Sequence, residues 1–205
     1  LQRPTELLNN VCLNGGARLL QELCRRSPNS AQHVDDCAVL TTYELPRIRF
    51  KASDEELWRQ TRGSLYWTKN TWILPIHRAE PEAHWVCCVF QLQRRRLLLF
   101  DSLGSRGNWG NDIQVLYFDS MTLLARLTMI AQNRGMTMDV PHEGWSVYPV
   151  VTRPLQHNDY DCGVWVLAFV ASVLRGFDHT GITEAGLSRL RYYLYCHVLQ
   201  LPHTP

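Results

Sequence analysis

One stretch of the chain combines a nucleophile with a means of activating it. Pro154-Leu155-Gln156-His157-Asn158-Asp159-Tyr160-Asp161-Cys162-Gly163 is polar and turn-prone, and it runs straight into an apolar segment over 164–174. Asp159 or Asp161 can cap a helix and Gly176 can close it, so the pattern predicts a helix that begins at or beside Cys162. Its apolar residues cover nearly the whole circumference, which predicts burial in the middle of the domain. A thiol at that N-terminus meets unpaired N–H groups and the positive end of the helix dipole, which favour thiolate over thiol. A thiolate is the nucleophile of cysteine catalysis, but a buried free cysteine is also an inert small hydrophobe. Chemistry therefore requires partners elsewhere: a base, an acid to orient it, and a donor for an oxyanion.

The elements that must supply those partners are two β runs. Residues 85–92 and 97–100 flank a charged turn at Gln93-Arg94-Arg95, and together they read as an antiparallel hairpin. In a hairpin turning near Gln93, His84 just before the first strand comes back beside Asp101 at the end of the second. Local geometry thus brings an imidazole and a carboxylate together. The four candidates occur in the order His84, Asp101, Gln156, Cys162. Cys162 would attack a carbonyl, His84 would take and return a proton, and Asp101 would fix the imidazole tautomer. Gln156 would offer an amide N–H to the oxyanion beside the backbone N–H groups of the helix start. Each residue alone has an ordinary structural reading; together they form a set.

The rest of the chain reads as scaffold. Asn9 or Asn10 precedes an amphipathic helix through Leu23, weakened at Gly15-Gly16. Residues 27–36 read as a polar loop, 38–43 as a short strand or helix, and 53–60 as a short helix with acids in its first turn. Residues 71–76 form a further β run, 102–110 a turn region, and 112–132 a long amphipathic helix ending near Gly135. A loop over 136–143 leads to a strand over 145–151, and 186–201 reads as a closing helix that covers the sheet.

Composition bounds the function. With 205 residues, 45% of them apolar, and a net charge of +2, the chain reads as one soluble domain with no reason to expect nucleic acid or an anionic membrane as a partner. Seven cysteines include no C-x-x-C pair, and adjacent Cys87 and Cys88 would point to opposite faces of a strand, so a zinc site has no support. The odd cysteine count and the lack of a signal peptide or long apolar span predict a reduced, intracellular protein, nuclear or cytoplasmic.

These segments resemble the SUMO-protease (sentrin-specific protease) family, cysteine proteases that cleave after ubiquitin-like modifiers. The resemblance rests on Ile73-Leu74-Pro75-Ile76-His77-Arg78 leading to His84-Trp85, on Leu99-Phe100-Asp101-Ser102-Leu103-Gly104, and on the stretch from Pro154 to Gly163. Leu8-Asn9-Asn10 resembles the family's Leu-Asn-Asp entry to its first helix. The order of the four residues matches the adenovirus-protease-like arrangement rather than the papain order. The resemblance implies that His84, Asp101 and Cys162 are the triad and Gln156 the oxyanion donor. Trp85, Gly163 and Asp161 would contact the substrate, Trp85 as one wall of a narrow tunnel for a Gly-Gly tail, where only glycine passes without a Cβ clash. Leu7 stands where the family has a second tunnel tryptophan, Asn10 replaces its Asp, Leu155-Gln156 replaces its paired Gln-Gln, and residues 79–83 form an insertion before His84.

The expected fold is accordingly α+β, papain-like, with a mixed or antiparallel sheet packed between helices and Cys162 at the N-terminus of the central one. The expected function is hydrolysis of the peptide or isopeptide bond after the Gly-Gly of a SUMO-like modifier by a monomer that needs no metal or organic cofactor. The alternatives are a deubiquitinase or protease for another ubiquitin-like protein, an acetyltransferase on the same triad, and a binding module that has kept only the fold.

Overall fold

The structure is a computed structural model that describes residues 1, 3, 5–79, 83–104, 109–141 and 143–200. Helices α1 (Asn10–Arg25), α2 (Ala31–Asp35), α3 (Glu44–Arg49) and α4 (Asp54–Thr61) are interrupted by strand β1 (Cys37–Val39). Strands β2 (Thr71–Arg78), β3 (His84–Gln91) and β4 (Arg96–Phe100) follow, then α5 (Trp109–Asn133), β5 (Ser146–Pro149), α6 (Cys162–Leu174) and α7 (Glu184–Leu199).

The strands form one mixed sheet in chain order. β2–β3 and β3–β4 are antiparallel, while β1–β2 and β4–β5 are parallel. Pro75 lies inside β2, where a missing N–H would break a central ladder. β1 pairs only with Thr71, Trp72 and Ile73, so Pro75 sits where β2 has become an edge on that side. Alternation along β3 divides the core. Trp85, Cys87 and Val89 pack with α1, α6 and α7 on one face, and Val86, Cys88 and Phe90 pack with α3, α4 and α5 on the other. Cys87 and Cys88 therefore do face opposite ways.

α6 is the helix that the uninterrupted apolar run required: every residue from Cys162 to Leu174 is buried except Ala171. It packs between the sheet and α1, and its Phe169 ring stacks on Phe100 at the end of β4, centroids 4.5 Å apart. Gly16 explains why α1 runs unbroken through its two glycines. A Cβ there would come within 2.9 Å of Leu167, so the glycine permits close approach of α1 to α6.

Four expectations are corrected. The polar segment 27–36 contains α2, and α3 forms where no helix was expected, held by Glu44, whose buried carboxylate accepts from Thr41 and pairs with Arg47. α7 packs on α6 and α1, so it covers the helical layer rather than the sheet itself. Asp161 occupies the N-cap position of α6 but makes no side-chain capping bond, because its carboxylate is engaged elsewhere, as described below. Parts of the insertion before His84 (80–82), of the turn after Asp101 (105–108) and of the loop after α5 (142), together with Leu201, lie outside the described residues.

Candidate active site

His84 opens β3 and Asp101 follows β4, so the hairpin register sets their separation. Phe100 pairs with Cys87; one further step puts Asp101 opposite Val86, diagonal to His84. Their side chains meet: His84 Nε2 lies 2.7 Å from Asp101 Oδ1. The same carboxylate oxygen accepts from the Leu103 backbone N–H at 2.9 Å, which fixes the acid against its own turn. Because Nε2 faces Asp101, Nδ1 is the nitrogen left for the Cys162 thiol, whose proximity also raises the His84 pKa. His84, Asp101 and Cys162 are buried to 4%, 3% and 1% exposure, so their interactions are not diluted by water.

Electrostatics favour a charged imidazole. Burial alone would lower the His84 pKa, but the bonds to Asp101 and Cys162 and the charges on both partners outweigh it and raise the value to about 9. His77, whose ring lies 4.7 Å from that of Trp85, shifts the other way, lowered by its own desolvation and by the charge of His84.

The fourth candidate arrives on the loop before α6. Gln156 is 1% exposed; its Oε1 accepts from the Ser102 hydroxyl at 2.7 Å, and its Nε2 donates to the Asn158 carbonyl at 2.6 Å. The missing Asp161 cap matters here. The Asp161 carboxylate accepts from Asn158 Nδ2 at 2.9 Å and pairs with buried Arg191 at 2.9 Å, and so turns away from the helix end. With no side chain capping them, the first backbone N–H groups of α6 are directed toward the region beside Cys162.

The residues expected at the substrate are placed as follows. Trp85 is only 4% exposed and donates its indole N–H to the Leu8 carbonyl at 2.7 Å. Leu8 in turn lies on Gly163, where an added Cβ would come within 3.0 Å of the Leu8 Cβ. Trp85, Leu8 and Gly163 thus form a stack beside the nucleophile, while Leu7 is exposed. Asp161 is held by Arg191, which also donates to the carbonyls of Glu6 and Arg3 and so ties the N-terminal segment to the residue before Cys162. Ser102, Asn158 and Arg191 are the residues that the sequence did not single out. Only Ser102 carried a signal, its place directly after Asp101, and that reads as an ordinary strand exit.

Among the described residues no group of three or more His, Cys, Asp or Glu side chains is disposed to hold a metal ion. What the arrangement can do is activate a sulfur nucleophile against a carbonyl and receive the resulting oxyanion.

Residues 18–200 match the Ulp1 protease family, C-terminal catalytic domain, and the chain belongs to that family. It is 24% identical over 170 residues to sentrin-specific protease 2 of Rattus norvegicus, covering 82% of this chain and 26% of that protein. The chain therefore spans about a quarter of the length of that relative. Among solved structures it resembles the SUMO protease Ulp1 with its catalytic cysteine oxidised to a sulfenic acid (TM-score 0.69, 15% identity, covering 96% of this chain and 78% of that one). It also resembles the C-terminal Ulp1 protease domain in complex with Smt3, the yeast ortholog of SUMO (TM-score 0.65, 15% identity, 96% and 77%). At those identities the structures establish a shared fold.

Proposed function

We propose that this member of the Ulp1 protease family is a cysteine protease domain that hydrolyses the peptide or isopeptide bond after the C-terminal Gly-Gly of a SUMO-like modifier. The observation that carries the reading is the buried contact of His84 Nε2 with Asp101 Oδ1 at 2.7 Å, on an imidazole whose other nitrogen is left for Cys162 at the start of α6. In the reaction Cys162 sulfur attacks the carbonyl of the last glycine while His84 is imidazolium. The oxyanion that forms is met by Gln156 Nε2–H and the open N–H groups of the helix start. Collapse of the tetrahedral species breaks the C–N bond. His84 gives its proton to the leaving amine, which is a lysine side chain in a conjugate or an α-amine in a precursor. The thioester is then attacked by water, from which His84 removes a proton, and the thiolate–imidazolium pair is restored. Asp101 holds the ring throughout.

The substrate class is supported by the names of the relatives, a sentrin-specific protease and a protease domain bound to a SUMO ortholog. No observation favours deubiquitination or acyl transfer over it. Such a substrate sets the work inside the cell, in nucleus or cytoplasm, where a free thiol stays reduced. The test is to incubate the domain with SUMO, ubiquitin and other ubiquitin-like proteins, each bearing a C-terminal electrophile, and to look for covalent adducts. SUMO should label the native protein and fail to label Cys162→Ser. Labelling by ubiquitin alone would overturn the substrate, and labelling by none would overturn the protease reading.

A further inference from the structure

The chemistry of Gln156 depends on which way round its amide lies. Its oxygen and its NH2 group have nearly the same shape, yet only the NH2 end can donate to an oxyanion; the reversed amide would present a carbonyl oxygen to a negative charge. The Asn158 carbonyl decides that choice, and the Ser102 hydroxyl, which can donate or accept, anchors the amide so oriented. Nε2 donates to the Asn158 carbonyl at 2.6 Å, a contact that reversal would turn into two facing acceptors. Oε1 is 2.7 Å from the Ser102 hydroxyl, which is its one hydrogen-bond partner among the described residues. Ser102 is 0% exposed and Gln156 1%, so no bulk water replaces that partner.

Ser102 is also joined to the Gln156 loop through its backbone. Its carbonyl accepts from the N–H of Leu155 at 2.9 Å and of Gln156 at 3.1 Å. Two residues on, Gly104 has φ +61°, and a Cβ there would stand 3.0 Å from the backbone of Arg153 and Pro154. The turn that leaves Asp101 and the loop that carries Gln156 are therefore built against each other, and the serine hydroxyl is the group of that junction that reaches the amide.

We propose that Ser102 is a positioning residue for the reaction: the Asn158 carbonyl sets the direction of the Gln156 amide, and the Ser102 hydroxyl anchors its Oε1 so that one Nε2–H stays on Asn158 and the other is aimed at the substrate oxyanion. The inference rests on the oxyanion role proposed for Gln156. Ser102→Ala is a clean perturbation, because the serine carbonyl and its two backbone bonds remain and only the anchor of the amide is lost.

The experiment measures kcat and KM on SUMO carrying a C-terminal aminomethylcoumarin, with melting temperatures, for Ser102→Ala, Gln156→Ala and the double variant. Removing an oxyanion donor outright costs on the order of a hundredfold in kcat, expected for Gln156→Ala, whereas losing only its aim is expected to cost about tenfold. KM should be unchanged in both, and the double variant should be no slower than Gln156→Ala alone, because there is no amide left to aim. Ser102→Cys, which keeps the shape and a weaker donor, should fall between Ser102→Ala and the native protein; it serves also as the test if the alanine variant does not fold. Losses that multiply in the double variant, or full activity in Ser102→Ala beside an impaired Gln156→Ala, would overturn the role of Ser102 and leave that of Gln156 standing. Native activity in Gln156→Ala would overturn both.

Discussion

A charged His84 makes the stability of the fold depend on pH between the ordinary value of an imidazole and its raised value in this site. Its pKa is raised from 6.5 to about 9, with burial overcome by the bonds and charges of Asp101 and Cys162. The folded protein therefore holds this proton more tightly than the unfolded chain does. A raised folded-state value contributes stability that is fully present below the unfolded pKa and is lost as pH rises through the folded one. At about 1.4 kcal/mol per pH unit, the contribution is roughly 3 kcal/mol at pH 6 and about 1 kcal/mol at pH 8.5. The assay is urea unfolding across that range, with the native protein and His84→Gln in parallel. Buried Cys37, Cys87 and Cys88, all with thiols raised above their ordinary value, begin to oppose folding only at higher pH, and they do so equally in both proteins. The native protein should lose about 2 kcal/mol more than His84→Gln between pH 6 and 8.5. Parallel slopes would refute the reasoning, since they would mean that Asp101 and Cys162 do not hold the proton on the imidazole. The alkaline limb of kcat/KM should likewise sit near pH 9 and move down in Asp101→Asn, which takes away the largest of the influences that raise the value.

Trp85→Phe keeps a ring in the core but leaves the Leu8 carbonyl without its donor, so stability should fall by about 1–3 kcal/mol in urea. Turnover per folded molecule should fall as well, because the Leu8 segment rests on Gly163; unchanged turnover per folded molecule would make Trp85 a core residue only. Arg191→Met strands the Asp161 carboxylate in a buried place and should cost about 3–5 kcal/mol, much of it recovered in Arg191→Met/Asp161→Asn. The double variant equalling the single one would show that the arginine acts through the Glu6 and Arg3 carbonyls instead.

The parts of the site that were legible in the sequence are those fixed by local rules. A helix had to begin at Cys162 because a turn-rich segment meets an apolar run there, and it does. Asp101 had to return near His84 because a two-strand register follows from where the turn lies. Gly176, with φ +86°, ends α6 as expected of a residue that adopts the left-handed conformation without strain. What the sequence left open depends on long-range partners. Asp161 looked like a helix cap, and it lost that role to an arginine 30 residues away, a pairing that no local spacing encodes. Ser102 looked like a strand exit, and its partner lies 54 residues on. Gly163 looked like part of the nucleophile motif, and the structure adds a steric reason for it in Leu8, which belongs to a segment read only as the approach to α1.

These long-range contacts share a direction, and it bears on how the site keeps its geometry. Phe100 on Phe169 sets the end of β4 against α6, Ser102 sets the turn after Asp101 against Gln156, and Arg191 sets α7 and the N-terminal segment against the residue before the nucleophile. The first two join one catalytic candidate's segment to another's and the third braces the nucleophile's segment from outside; each is buried, so a lost partner is not replaced by water. A triad tolerates little error, since misplacement of about 1 Å costs on the order of a hundredfold in rate. Local rules can bring a thiol, an imidazole, an acid and an amide to one end of the sheet, but tolerances of that size need cross-braces between the segments. That is why the residues most difficult to read from the sequence are the ones that hold those easiest to read.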